Sequence, residues 1–256
     1  MAAHILTIAR LTWLEAFRNR LLWLVLAALL IAFGLAEFLG SLAITESVQM
    51  RAVLLAALLR VFAVIVVSLF VTSSGVRELD EKATDLLLSL PVSRASYYFG
   101  KLLGFSGLAL LMALLCAVAA ALYAPAGQAA LWALSLGCEL LIVVAFSLLC
   151  LFTFHQVTVA VSVVLGFYVL SRSMAAIQLV GSGPFADSGG ISQRVMTTVI
   201  DAIAYALPSL DRFTPSEWLA YHTGQWQELL HVAGQAGVYL VLLAGAGLFD
   251  LYRKSF

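Results

Sequence analysis

Six long apolar runs constrain this chain more than any other feature, because each is about as long as a helix must be to cross a bilayer. A transmembrane helix needs about 20 predominantly apolar residues. Runs of that kind fall at roughly 21–43, 52–74, 101–123, 129–152, 156–180 and 230–249. Of 256 residues, 63% are hydrophobic and only 11% charged. A soluble domain is nearer half apolar and one-quarter charged, so a core of this length cannot hide the excess. The apolar residues come in blocks instead of alternating, which excludes a transmembrane β-barrel. Arg18 and Arg20 precede the first run as they would in a signal peptide, but Leu21 to Leu42 is too long for an h-region and no A-x-A-like cleavage site follows. The expectation is an all-α polytopic membrane protein, one domain over 1–256 with six transmembrane helices.

Fourteen Lys and Arg balance fourteen Asp and Glu, so no basic surface is available for nucleic acid. Their distribution sets the topology through the positive-inside rule. With the N-terminus inside, nine cations fall on the cytoplasmic side: Arg10, Arg18, Arg20, Arg77, Lys82, Arg94, Lys101, Arg253 and Lys254. Arg51, Arg194 and Arg212 fall outside, and Arg60 and Arg172 lie within spans. Both termini are therefore expected in the cytoplasm. Cys116, Cys138 and Cys150 sit in apolar runs without CxxC spacing, which indicates neither a zinc site nor disulfides.

Two segments precede or join spans on the cytoplasmic side. Residues 4–20 place Ile5, Ile8, Leu11 or Thr12, Leu14 and Phe17 along one stripe, with Arg10, Glu15 and Arg18 elsewhere. Such a helix can lie in the headgroup plane as an elbow before the first span. Residues 77–101 read RELDEKATDLLLSLPVSRASYYFGK. Glu78, Asp80 and Glu81 suit the positive end of a short helix whose apolar side is Leu86, Leu87 and Leu90. Pro91 disfavours helix at Leu90, and Ser93 can N-cap the helix that enters the third span. Without further information, an interfacial loop that holds topogenic charges would look the same.

Taken together, IARLTWLEAFRNRLLWL near the N-terminus, RELDEKATDLLLSLPVSRASYYFGKLLG and the later ALPSLDRF resemble the permease subunits of ABC-2 type transporters. The likeness is sharpest from Glu78 to Gly104, where Glu81, Thr84, Leu88, Pro91, Arg94, Gly100 and Lys101 fall on the family pattern; Ala83 departs from it, standing where Gly is frequent. The resemblance implies an elbow helix, six spans, and a coupling segment at 77–100 that docks on a separate ABC ATPase. Leu86, Leu87 and Leu90 would anchor it in a groove, with Glu78, Glu81, Thr84, Asp85, Pro91 and Arg94 setting its shape and orientation. No G-x-x-x-x-G-K-[ST] occurs, so ATP and Mg would be bound by the partner and none by this chain. A second permease copy, most simply an identical one, and export of an unspecified cargo across the cytoplasmic membrane complete what the family implies.

Four charges interrupt the spans: Glu37, Arg60, Glu139 and Arg172. Helix rise puts all four in the outer half of the bilayer. An unpaired charge in hydrocarbon costs about 2.5–3.5 kcal/mol even on lenient scales, so a buried cluster is expected. The depths suggest Arg60 with Glu139 and Glu37 with Arg172, and they allow the other partners. Such a cluster can pin helices together, gate an outward path, or touch an ion or cargo.

The external segment, 181–229, opens with a glycine-rich stretch and continues as an amphipathic helix that Ser192 can cap and Pro208 ends. Thr214-Pro215-Ser216-Glu217 has the form of a capping box, and Trp218, Tyr221 and Trp226 suit an interfacial belt. An extracytoplasmic partner could also dock there, with Asp211 and Arg212 as the charges to test. Two rivals come from other classes. Gly104-Phe105-Ser106-Gly107 and His231 fit the motifs of a rhomboid intramembrane serine protease, yet the assigned depths set Ser106 and His231 over about 20 Å apart, against about 3 Å for a dyad. An ATP-independent carrier or scaffold would need no coupling segment, and matched Gly/Pro-broken spans are not apparent.

Overall fold

The computed structural model describes residues 2–18, 21–41, 47–80, 93–154, 156–181 and 191–253. Among these, all regular structure is helical: α1 (Ala2–Arg18), α2 (Leu21–Ser41), α3 (Ser47–Asp80), α4 (Arg94–Ala120), α5 (Ala126–Thr153), α6 (Val157–Gly181), α7 (Ile191–Ala206), a 3-10 turn at Leu210–Arg212, α8 (Glu217–Ala220) and α9 (Trp226–Arg253). Five of them, α3, α4, α5, α6 and α9, are long and apolar enough to cross a membrane. The chain is a multi-pass membrane protein. A further apolar helix of 21 residues, α2, packs along α3.

The bundle is built around α5, which touches α3, α4, α6, α8 and α9. Its sequence explains why one helix can be covered on most of its sides. Ala133, Ser135, Gly137 and Ala145 let neighbouring backbones approach, while Trp132, Leu136, Leu140, Ile142 and Leu148 fill the gaps with no exposed surface. Ser93 caps α4 as expected, its hydroxyl accepting the Ser96 N–H at 3.2 Å.

Helix α1 lies across α4 in a groove made by Gly100, Gly104 and Gly107. A Cβ at Gly104 would stand 2.8 Å from Thr12 Cβ, and one at Gly100 2.8 Å from Ile8 Cβ. Trp13 Nε1 donates to the Gly104 carbonyl at 3.1 Å. The stripe that α1 buries is Ile8, Thr12 and Ala16; Leu11, Leu14 and Phe17, expected on the same stripe, are exposed. The Thr12 hydroxyl donates to the Ile8 carbonyl within the helix, so this polar residue enters the packed face without an unsatisfied donor.

Ion pairs fasten one end of the bundle. Glu15 of α1 pairs with Arg77 and accepts from Ser74 Oγ at 2.8 Å, tying α1 to the last turns of α3. Glu78 pairs with Lys101 of α4, whose ammonium is buried. Arg94 Nη1 donates to the Leu251 carbonyl at 3.2 Å, capping the C-terminal end of α9, where the helix dipole favours a cation. Here the helix boundary differs from expectation. Glu78 and Asp80 end the 34-residue α3 instead of opening a short helix. At the negative end of the α3 dipole an acid is disfavoured, and Lys101 offsets that for Glu78.

Substituting Gly104→Val should destabilise the fold by about 1–3 kcal/mol through overpacking against Thr12. Gly166→Ala, at a helical site with nothing within 4 Å, should be neutral or raise stability by up to about 1 kcal/mol. Thermal unfolding in detergent compares the two; equal effects would show that α1 does not depend on the groove.

Candidate functional site at a re-entrant loop

Between α7 and α8 the chain leaves the bundle surface and turns inward. Leu210 and Phe213 carry it into the interior as fully buried anchors, and Thr214 between them and α8 is equally buried. By helix rise, the residues that meet this loop lie well inside the bundle: Arg60 and Glu139 roughly 20 Å from the nearer ends of α3 and α5, and Arg172 roughly 14 Å from the end of α6. Irregular backbone at such depth is tolerated only where protein satisfies its polar groups.

Two guanidiniums satisfy them. Arg172 Nη1 donates to the Leu210 carbonyl at 2.7 Å and to the Phe213 carbonyl at 3.2 Å. Arg60 Nη1 donates to the Thr214 carbonyl at 3.1 Å. The Thr214 N–H donates to Ser135 Oγ at 3.1 Å, and its hydroxyl donates to Glu139 Oε2 at 2.8 Å. Glu139 has no exposed surface and pairs with Arg172 at 3.4 Å. Thr214 is held at φ 49°, in the left-handed region that β-branched residues avoid. Strain of this kind costs on the order of 1–3 kcal/mol and persists only when its surroundings over-determine it, as these contacts do.

The structure pairs the four intramembrane charges differently from the depth-based expectation. Arg172 takes Glu139, and Arg60 turns to the loop carbonyl instead of Glu139, because unpaired backbone acceptors compete for its donors. Glu37 pairs with Arg51 at 3.3 Å, not with Arg172. Arg51 was expected in a connection; α3 starts at Ser47, which makes it helical and turns it toward α2. Tyr123 donates to Glu37 as well.

The other expected site residues separate into groups. Glu78 and Arg94 are in the ion-pair and capping contacts of the fastened end. Glu81, Thr84, Asp85, Leu86, Leu87, Leu90 and Pro91 lie outside the described residues. Arg212 is exposed and Asp211 partly so; Arg212 lines an open cleft with Glu217, Thr223, Glu228 and His231. The capping box at Thr214–Glu217 does not form: Ser216 caps α8 with no side-chain bond, and Thr214 serves Glu139 instead. Trp218 is buried, unlike Tyr221 and Trp226, so only the latter two remain free to anchor at an interface. Gly224 closes the segment, exchanging hydrogen bonds of 3.1 and 3.3 Å with the Gln128 side chain.

The glycines of Gly104-Phe105-Ser106-Gly107 are occupied by Thr12 and Trp13. Since α4 and α9 run antiparallel from a shared end, helix rise sets Ser106 and His231 roughly 12 Å apart in height. That is less than the depth-based separation, because α4 begins at Arg94, but still far beyond a dyad. Among the described residues no group of His, Cys, Asp and Glu is placed to hold a metal. Leu210, Phe213, Thr214 and Ser135 were not expected at the site. The signal available was the i, i+3 spacing of two large apolar residues around Asp211 and Arg212, in a segment otherwise bounded by prolines. No protein-family model matches the chain, and no curated protein matches it.

Replacing Thr214 with Val keeps the shape but removes the donor to Glu139, and should cost about 1–3 kcal/mol; Thr214→Ser should retain most of the stability. Arg172→Met should cost about 3–5 kcal/mol by leaving Glu139 buried and unpaired, and adding Glu139→Gln should restore part of it. Thermal melts of the single and double variants in detergent decide this, and strict additivity would mean that the pair is not coupled.

Proposed function

We infer that the chain is the membrane-spanning subunit of an ABC transporter of the ABC-2 type, with six transmembrane helices, α1 as the elbow helix and both termini in the cytoplasm. The observation that carries this is a single uninterrupted helix. From Arg60, which holds the re-entrant loop, α3 runs to Asp80, next to the segment 81–92 whose sequence resembles a coupling element. That length is roughly 30 Å by helix rise. A rigid element of this span can transmit displacement at one end to the contacts at the other.

In this reading a separate ATPase, binding ATP and Mg, engages residues 77–100. Glu78–Lys101 and Glu15–Arg77 fix the flank of that segment to α4 and α1, so movement of the segment is passed to the bundle instead of being absorbed locally. At the far end, the loop at Leu210–Thr214 packs against α3, α5 and α6, and in this reading its release would open an outward path. Two such permease copies would form the exporter in the cytoplasmic membrane. The carrier or scaffold alternative leaves the acidic, leucine-rich segment without a purpose.

Affinity purification of the full chain in mild detergent should bring down a Walker-motif ATPase, and a Glu81→Lys/Leu87→Asp variant should lose it while remaining folded. Recovery of folded chain with no ATPase would favour a carrier or scaffold.

A further inference from the structure

The charge cluster is asymmetric. At the level of the re-entrant loop two guanidiniums face one carboxylate among the described residues, and the carboxylate is the sealed partner: Glu139 has 0% of its side chain exposed, Arg172 22%. Arg60 is also partly exposed, and its Nε is buried without a hydrogen-bond partner. Carbonyls of the loop engage Nη1 of each arginine but carry no net charge to balance the second cation. Guanidiniums at membrane depth face the bundle interior or an aqueous cavity, not lipid, so the open side of these two should be reachable from water.

We propose that Arg60 and Arg172 form a binding site for a singly charged oxyanion, a carboxylate or sulfonate, and that the group belongs to an amphipathic molecule whose apolar part lies against α6. The planar guanidinium fork suits a two-oxygen anion. Val169, exposed and one helical turn before Arg172, supplies apolar surface beside the charge. Calling the ligand a cargo rests on the transport reading; binding itself does not, and it is measured here without any ATPase.

The test uses the purified full chain in a neutral detergent at constant ionic strength. Octanesulfonate, methanesulfonate and octanol are titrated while thermal unfolding is followed by tryptophan fluorescence. Octanesulfonate should raise the midpoint saturably and octanol should not. Arg60→Gln should weaken the octanesulfonate effect at least about tenfold. Should that variant fail to fold, Arg60→Lys, which keeps the charge but loses the fork, should bind more weakly than the wild type. Glu139→Gln, which keeps an acceptor for Thr214 but removes the competing negative charge, should bind about tenfold more tightly. A purely structural cluster predicts no such gain. Equal saturation by methanesulfonate would overturn the amphipathic ligand in favour of a small free anion. Equal effects of octanol, or unchanged affinity in both Arg60→Gln and Glu139→Gln, would overturn the site altogether. Loss of the ATPase in the purification above would leave these outcomes unaffected, so failure of one reading is distinct from failure of the other.

Discussion

The contact on which the rest of this structure depends is between two arginine side chains and the carbonyls of a loop that has no helix to satisfy them. Backbone acceptors without partners are about as unwelcome inside a membrane domain as unpaired charges. Here each problem offsets the other. Arg60 and Arg172 lose water on entering the bundle and regain acceptors from Leu210, Phe213 and Thr214. Glu139 supplies the remaining negative charge and fixes Thr214 in a backbone conformation it would not choose. The arrangement ties α3, α5 and α6, which also pack directly on one another, at one point, with the loop as their common partner.

Around that point the molecule divides into a fastened end and a plugged end. The fastened end is made of short ionic and capping contacts: Glu15 with Arg77, Glu78 with Lys101, Arg94 with the end of α9, and Thr153 with Asp250. These link α1, α3, α4, α5 and α9; the more exposed of them individually contribute little, but together with the sheltered Glu78–Lys101 pair the network limits relative sliding. The plugged end relies on buried anchors and on the Gln128–Gly224 exchange. Because α3 and α5 pass through both ends, neither can shift rigidly at one without straining the other.

The architecture was legible wherever a single physical rule dominated. Apolar length exposed five spans, Ser93 marked the start of α4, and Pro208 the end of α7, because bilayer thickness and capping act locally, whereas Ser192, expected to cap α7, lies inside that helix. Boundaries failed where polar residues extend a helix beyond the hydrocarbon, as at Arg77–Asp80 of α3 and Arg94–Tyr98 of α4. The charged residues of the site were evident from their cost, but their partners were not. Depth along a span says nothing of azimuth, and the decisive acceptors were carbonyls, which every residue carries and no sequence pattern singles out. Thr214 illustrates the limit: its neighbours spelled a capping box, and a carboxylate 75 residues away in sequence outbid it.

The glycine groove on α4 also bears on how the protein is made. Trp13 and the Gly104 carbonyl it binds are 91 residues apart, and α1 leaves the ribosome first. At about 5–20 residues per second, α1 must wait roughly 5–20 s before its groove exists. Its exposed Leu6, Leu11, Leu14 and Phe17 contribute nothing to the docked face and need no groove meanwhile. Only the inner stripe, Ile8, Thr12 and Ala16, thus waits for a site that has yet to be synthesised.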